Sequence, residues 1–363
     1  MSRLFDGLEL PASADFHVHL RQGTMMETVT PTIASGGVDT VYVMPNLIPP
    51  IDTVDKALTY KQKLQSLAPD VYFLMSLYLC NAITPDVIRE AARAGIRGVK
   101  SYPAGVTTNS ASGVVDYESF YPVFAAMEEH GLILNLHGES PPAPDITVLN
   151  AEETFLPTLT DLHRRFPKLQ IILEHCTTAK AVEAVKACGA NVAGTITAHH
   201  LSLIVDDWAG DPINFCKPVA KLPADRVALL RAAVSRSPKF FLGTDSAPHP
   251  LRSKKGGVGN ECGKCAAGVF TQPYATQIVL EALDEAVAKG LLSKDDVGEE
   301  VLRGFLGEAG RKFYGVEASK RKIKVTAGKE TVVERLSLNE AGKEVDVVVP
   351  FRRGTSVYSL AWL

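Results

Sequence analysis

Asp15-Phe16-His17-Val18-His19-Leu20-Arg21 is the first of eight short, apolar, β-rich runs, and the recurrence of those runs decides the fold. The others are 40–45 (TVYVMP), 71–79 (VYFLMSLYL), 97–102 (RGVKSY), 132–137 (LILNLH), 169–175 (LQIILEH), 192–198 (VAGTITA) and 240–245 (FFLGTD). Several are almost unbroken in hydrophobicity, as the strands of a parallel sheet covered on both faces must be. Between most of them lie stretches of helical pattern, 53–67, 84–94, 116–130, 150–166, 177–189 and 224–236, with Thr84-Pro85-Asp86 and Pro223-Ala224-Asp225 reading as helix starts. Eight strands alternating with helices predict an α/β protein of the (β/α)8, or TIM-barrel, type.

A chain of 363 residues suits one such barrel. Residues 1–315 are assigned to it. The stretch 316–363 changes character, with short strand-like runs such as ETVVERLSL and EVDVVVPF, and reads as an extension packed on the barrel. A net charge of −3 gives no electrostatic reason for a nucleic acid or an anionic membrane as partner, so a small-molecule substrate is expected. No run of about 18 apolar residues occurs, and none crosses a membrane as a helix. Six cysteines are too sparse for a disulfide framework, and the first residues lack a long apolar segment; both point to the cytoplasm and reduced thiols. Cys262-Gly263-Lys264-Cys265 has no second cysteine pair to complete a zinc ribbon and reads as part of a glycine-rich loop with 254–259.

The opening run also carries chemistry. On a strand, His17 and His19 point to one face while Val18 points away, so a single strand offers two imidazoles to one ion. Lys100, His137, His175 and Asp245 fall in or just past the carboxyl halves of the fourth, fifth, sixth and eighth strands, the end at which such barrels carry their sites. On an inward position Lys100 would be an uncompensated buried cation; desolvation and neighbouring cations lower its pKa and leave an amine able to add carbon dioxide. The carbamate so formed can bridge two divalent ions. Asp245 is placed to touch a metal and to serve as general base and acid. Arg21, two residues past His19, suits a clamp on a substrate carboxylate, with Asn46 and His249 near enough in the pattern to share it. The competing readings are hydrogen-bonded core histidines, a salt-bridged Lys100 and a turn-capping Asp245. His199 and His200 follow the seventh strand and are read as hydrogen-bonding loop residues rather than ligands.

In DFHVHLR, VMPN, GVKSYPAGVTTNS, LHGE, LEHCTT and GTDSAPH, in that order over residues 11–315, the chain resembles the shorter, monofunctional dihydroorotases of the amidohydrolase superfamily. The resemblance implies two zinc ions held by His17, His19, carboxylated Lys100, His137, His175 and Asp245, with a bridging hydroxide. It implies reversible cyclisation of N-carbamoyl-L-aspartate to L-dihydroorotate, with Asp245 shuttling the proton and Arg21, Asn46 and His249 holding the substrate carboxylate. It further implies a mobile loop carrying Thr107 and Thr108, ring contacts from the backbone near Lys217 and Ala267, and a homodimer. A related hydrolase of hydantoin or allantoin, and a catalytically silent scaffold barrel, are the rival readings.

Overall fold

Each of the eight apolar runs overlaps a strand in the computed structural model, which describes residues 3–255 and 264–363. A short strand β1 (Glu9–Pro11) precedes the barrel strands β2 (Ser13–Val18), β3 (Val38–Val43), β4 (Tyr72–Tyr78), β5 (Gly98–Ser101), β6 (Ile133–His137), β7 (Ile171–Glu174), β8 (Val192–Ile196) and β9 (Phe240–Leu242). From β2 to β9 they pair in sequence order, all parallel. A parallel bridge between Val18 and Ser246, with His19 N–H donating to Ser246 O at 2.9 Å, joins the first strand to the segment beyond the last and nearly closes the barrel. Buried side chains on the strands, among them Phe16, Tyr42, Leu74, Ile133, Ile172 and Phe241, form a cluster with Tyr314, whose ring stacks on Phe16 at 4.8 Å. This plug fills the barrel and leaves the chemistry to its rim.

The helices start where capping side chains stand. Thr53, Thr84 and Thr178 accept hydrogen bonds from Lys56, Val87 and Ala181 N–H, which removes orphan donors from helices Val54–Leu67, Pro85–Arg93 and Ala179–Ala187. At Pro223–Ala233 the Asp225 carboxylate does similar service, accepting from Leu222 N–H at 3.2 Å and from Ala179 N–H at 2.9 Å. The strands end one to three residues before several of the apolar runs do. His175 and Asp245 lie just outside with φ of 44° and 49°, so the chain peels away from the ladder at those residues.

After residue 315 the chain forms β10 (Lys322–Thr331), β11 (Leu336–Glu340), β12 (Lys343–Val348) and β13 (Ser356–Trp362). Strands β11 and β12 make an antiparallel hairpin, and β10 lies between β1 and β13 in a small antiparallel sheet. Both ends of the chain therefore share one sheet. No helix among the described residues is long and apolar enough to cross a membrane. Cys262 and most of the glycine-rich loop lie outside the described residues; Cys80, Cys176, Cys188, Cys216 and Cys265 are free thiols.

Candidate metal centre and substrate cavity

Asp245 Oδ1 lies 3.0 Å from His19 Nε2 and 3.3 Å from His17 Nε2, and the three residues are buried. The other face of each ring is already engaged. His17 Nδ1 is 2.8 Å from Glu174 Oε2, and His19 Nδ1 is 2.8 Å from Asn46 Oδ1. A ring that donates its Nδ1–H to an oxygen keeps the Nε2 lone pair for a cation. His137 and His175 complete the ring of imidazoles, 4.7 Å apart between centroids, with His175 5.1 Å from His17. His137 Nε2 sits 2.8 Å from Glu139 Oε2.

Burial sets the charge states. It lowers His19 to about 3 against its hydrogen bond to Asp245, lowers His137 against Glu139, and holds His175 well below the ordinary range with help from His137 and Lys100. Burial and Lys100 also act to lower His17, but the Glu174 and Asp245 carboxylates outweigh them and raise it. Asp245 stays well below the usual carboxylate range: burial pushes it up, and His17 and His19 more than reverse this. Lys100 is fully buried, its Nζ has no hydrogen-bond partner, and desolvation brings it down to about 8 against Glu174 and Asp245. The imidazoles of His19, His137 and His175, kept neutral, an ionised carboxylate, a lysine nitrogen without a partner and the partnerless Nδ1 of His175 make a donor set suited to divalent ions. Ligand atoms of His17, His19 and Asp245 lie within 4.8 Å of one another.

Three of these rim residues hold left-handed backbone without being glycine: Arg21 at φ 62°, His175 at 44° and Asp245 at 49°. Such conformations cost about 1–3 kcal/mol each and persist where the surroundings over-determine them. Here they turn side chains from the strand ends into the cavity.

That cavity is lined by His17, His19, Arg21, Asn46, Thr107, Thr108, His137, His175, Lys217, Asp245 and Ala267, all expected from sequence. Lys100 and His249 stand behind the wall. Lys100 lies 5.2 Å from the Tyr102 ring centroid, and His249 Nε2 is 3.1 Å from Arg21 Nη2 and 2.9 Å from Ala267 O. Arg21 Nε also donates to Pro248 O at 3.0 Å. Tyr102 and Ala247 also join the lining, although their residue types alone suggest no role there. His199 and His200 do not line it; they sit in a separate buried group with Cys216, whose Sγ is 3.5 Å from His200 Nε2.

The loop after β5 covers the opening. Gly105 (φ 71°) and Asn109 (φ 54°) give it left-handed bends, and Gly105 N–H donates to Ser110 O at 3.0 Å. It is held to the barrel at several points. Asn46 Nδ2 donates to Thr108 O at 3.0 Å, Asn109 Nδ2 to Asn46 O at 2.9 Å, Lys217 Nζ to Val106 O at 2.7 Å and Thr108 Oγ1 to Ala267 O at 3.4 Å.

Sequence reasoning overlooked what supports the rim imidazoles. Glu174 accepts from Thr195 Oγ1 at 2.6 Å and Asn135 Nδ2 at 2.6 Å as well as facing His17, and Asn135 reaches Tyr314 Oη at 2.8 Å and accepts from Tyr42 Oη at 2.8 Å. A hydrogen-bonded path thus runs from the plug to His17. The available signal was a carboxylate and an amide placed inside apolar strands, where neither is stable without partners.

A family model described as Amidohydrolase matches residues 80–228. The chain is 56% identical over 324 residues to a protein of Schizosaccharomyces pombe described as a probable dihydroorotase, covering 89% of this chain and 91% of that one. It is 48% identical to the dihydroorotase of Saccharomyces cerevisiae, with 98% of each chain covered. Among solved structures, the S. cerevisiae dihydroorotase in complex with 5-fluoroorotic acid matches with a TM-score of 0.88 at 46% identity, covering 98% of this chain and 99% of that one. An L-hydantoinase from Arthrobacter aurescens matches with a TM-score of 0.74 at 19% identity, a likeness of fold alone.

Proposed function

The chain belongs to the dihydroorotase family of the amidohydrolases, and from that premise we propose that its rim cavity interconverts N-carbamoyl-L-aspartate and L-dihydroorotate with the aid of two zinc ions. It is a hydrolase of cyclic amides. The observation that carries the reading is Asp245, its carboxylate between His17 and His19 in the same cavity as the Arg21 guanidinium.

His17, His19, His137, His175, Asp245 and a carboxylated Lys100 would hold the metal pair. Carboxylation joins the Lys100 nitrogen to the carbon of carbon dioxide and releases one proton, and it requires the amine rather than the ammonium; an Nζ without a partner and brought down to about 8 favours it. When bound, the metals supply positive charge that polarises a ring carbonyl and acidifies water.

The remaining work belongs to side chains. Arg21 binds the substrate carboxylate, with Asn46 and His249 contributing, and the backbone near Lys217 and Ala267 meets the ring. Thr107 and Thr108, on the covering loop, shut the cavity over substrate and exclude water from the bulk. In the hydrolytic direction, Asp245 accepts the proton released as water adds to the ring carbonyl and returns it to the departing amide nitrogen. Ring closure runs the same transfers in reverse. Asp245 is a weak base when ionised so far below its usual range, which ties its protonation to the bond-making step itself. A homodimer in the cytoplasm belongs to this reading.

The test is an ultraviolet assay of zinc-replete protein with L-dihydroorotate, run beside hydantoin and allantoin and repeated after chelation. Turnover of dihydroorotate alone, lost on chelation and regained with zinc, is the expected result. Turnover of hydantoin or allantoin in its place would overturn the substrate assignment.

A further inference from the structure

Lys254 has no part in the reaction above, yet it is only 4% exposed and its ammonium meets three main-chain carbonyls: Phe215 at 2.7 Å, Gly268 at 2.8 Å and Ala266 at 2.9 Å. Burying an ammonium is costly unless each of its three protons finds an acceptor, and the described residues supply three. Those carbonyls flank two stretches, 215–217 and 266–268, which bring Lys217 and Ala267 to the cavity wall. Gly268 N–H donates to Phe215 O at 3.0 Å, so the stretches also touch directly. The covering loop rests on the same two stretches, through Lys217 Nζ to Val106 O and Thr108 Oγ1 to Ala267 O, and His249 meets Ala267 O as well.

We propose that Lys254 is a positioning residue: its ammonium ties the stretches 215–217 and 266–268 together, fixing both the ring-facing wall of the cavity and the edge on which the covering loop closes. The proposal rests on the reading of Lys217, Ala267 and the loop as substrate-facing. A lysine suits the task because an ammonium is a compact charge with three donors that rotate toward converging carbonyls, whereas the planar fork of arginine points its donors apart. Methionine would keep most of the bulk, take the ammonium's donors from Ala266 O and Gly268 O, and leave Phe215 O with Gly268 N–H alone.

The experiment compares Lys254→Met and Lys254→Arg with the zinc-loaded wild type by steady-state kinetics and amide exchange. Lys254→Met should raise KM for dihydroorotate about tenfold with kcat within about threefold, since the groups it aligns hold ground and transition states alike. In protein without substrate, amides of 105–108 and 266–268 should exchange about tenfold faster while the barrel strands keep their protection. A folded Lys254→Met with unchanged KM, or one in which exchange quickens throughout the barrel, overturns the proposal. If Lys254→Met does not fold, Lys254→Arg decides: about a threefold rise in KM with faster exchange in those two segments supports it, and wild-type behaviour in both overturns it. Because exchange is read without substrate, it judges Lys254 even if the wild type fails to turn over dihydroorotate, a failure that would count against the reaction alone.

Discussion

Asp245 and Arg21 face the same cavity, but kinetics should separate them. If Asp245 carries the proton as proposed, Asp245→Asn keeps a polar group at that place and removes the carrier, so kcat should fall on the order of a thousandfold with KM far less affected. Arg21→Met removes the proposed partner of the substrate carboxylate, and kcat/KM for dihydroorotate should drop by about a hundredfold or more; unchanged turnover would point to a substrate without a carboxylate. Glu152 offers a prediction for stability. It is buried, accepts Thr177 N–H at 2.8 Å, and is raised by burial to about 7 against Lys221 and the threonines Thr178 and Thr177. Unfolded, it titrates near 4.5. The fold therefore favours its protonated form, and the stability this contributes is complete below about 4.5 and lost as pH rises through about 7. Thermal melts between pH 5 and 8 should show that decline in the wild type and a flatter profile in Glu152→Gln.

Barrel strands and flanking helices were legible because each carries its own signal: unbroken apolar runs, threonine caps, prolines at helix starts. The rim histidines, Lys100 and Asp245 could be read because a polar group at the end of an apolar strand is costly to bury unless a ligand or a partner meets it there. The pairing of β1 with β10 could not be read, since it joins segments at opposite ends of the chain and three residues make no pattern. Glu174 and Asn135 escaped for a related reason: their partners come from other strands, and sequence spacing does not report who faces whom across a barrel. Packing between elements is tested at Gly310, on helix Ala309–Tyr314, where an added Cβ would stand 2.2 Å from a Phe16 ring carbon. Phe16 cannot retreat easily, being stacked on Tyr314 and edge-on to Phe241 at 5.3 Å. Gly310→Ala should cost about 1–3 kcal/mol and lower Tm by several degrees while leaving zinc content unchanged.

For the molecule as a whole, metal binding and folding stability are linked. A ligand bound only by the folded chain stabilises it by about 2.7 kcal/mol when present at a hundred times its Kd. Chelated protein should remain folded, held by its barrel core, but melt several degrees lower and lose turnover, both returning with zinc; calorimetry beside the activity assay checks this. The sheet that unites the two ends of the chain has a further consequence, for how the molecule is made. Pro11 pairs with Lys322. During synthesis at about 5–20 residues per second, roughly 15 to 60 s pass between emergence of the first segment and arrival of its partner. Strand β1 thus waits unpaired until β10 follows it out of the ribosome, well after the last barrel strand, so that this pairing, rather than completion of the barrel strands, fastens residues 9–11 in place.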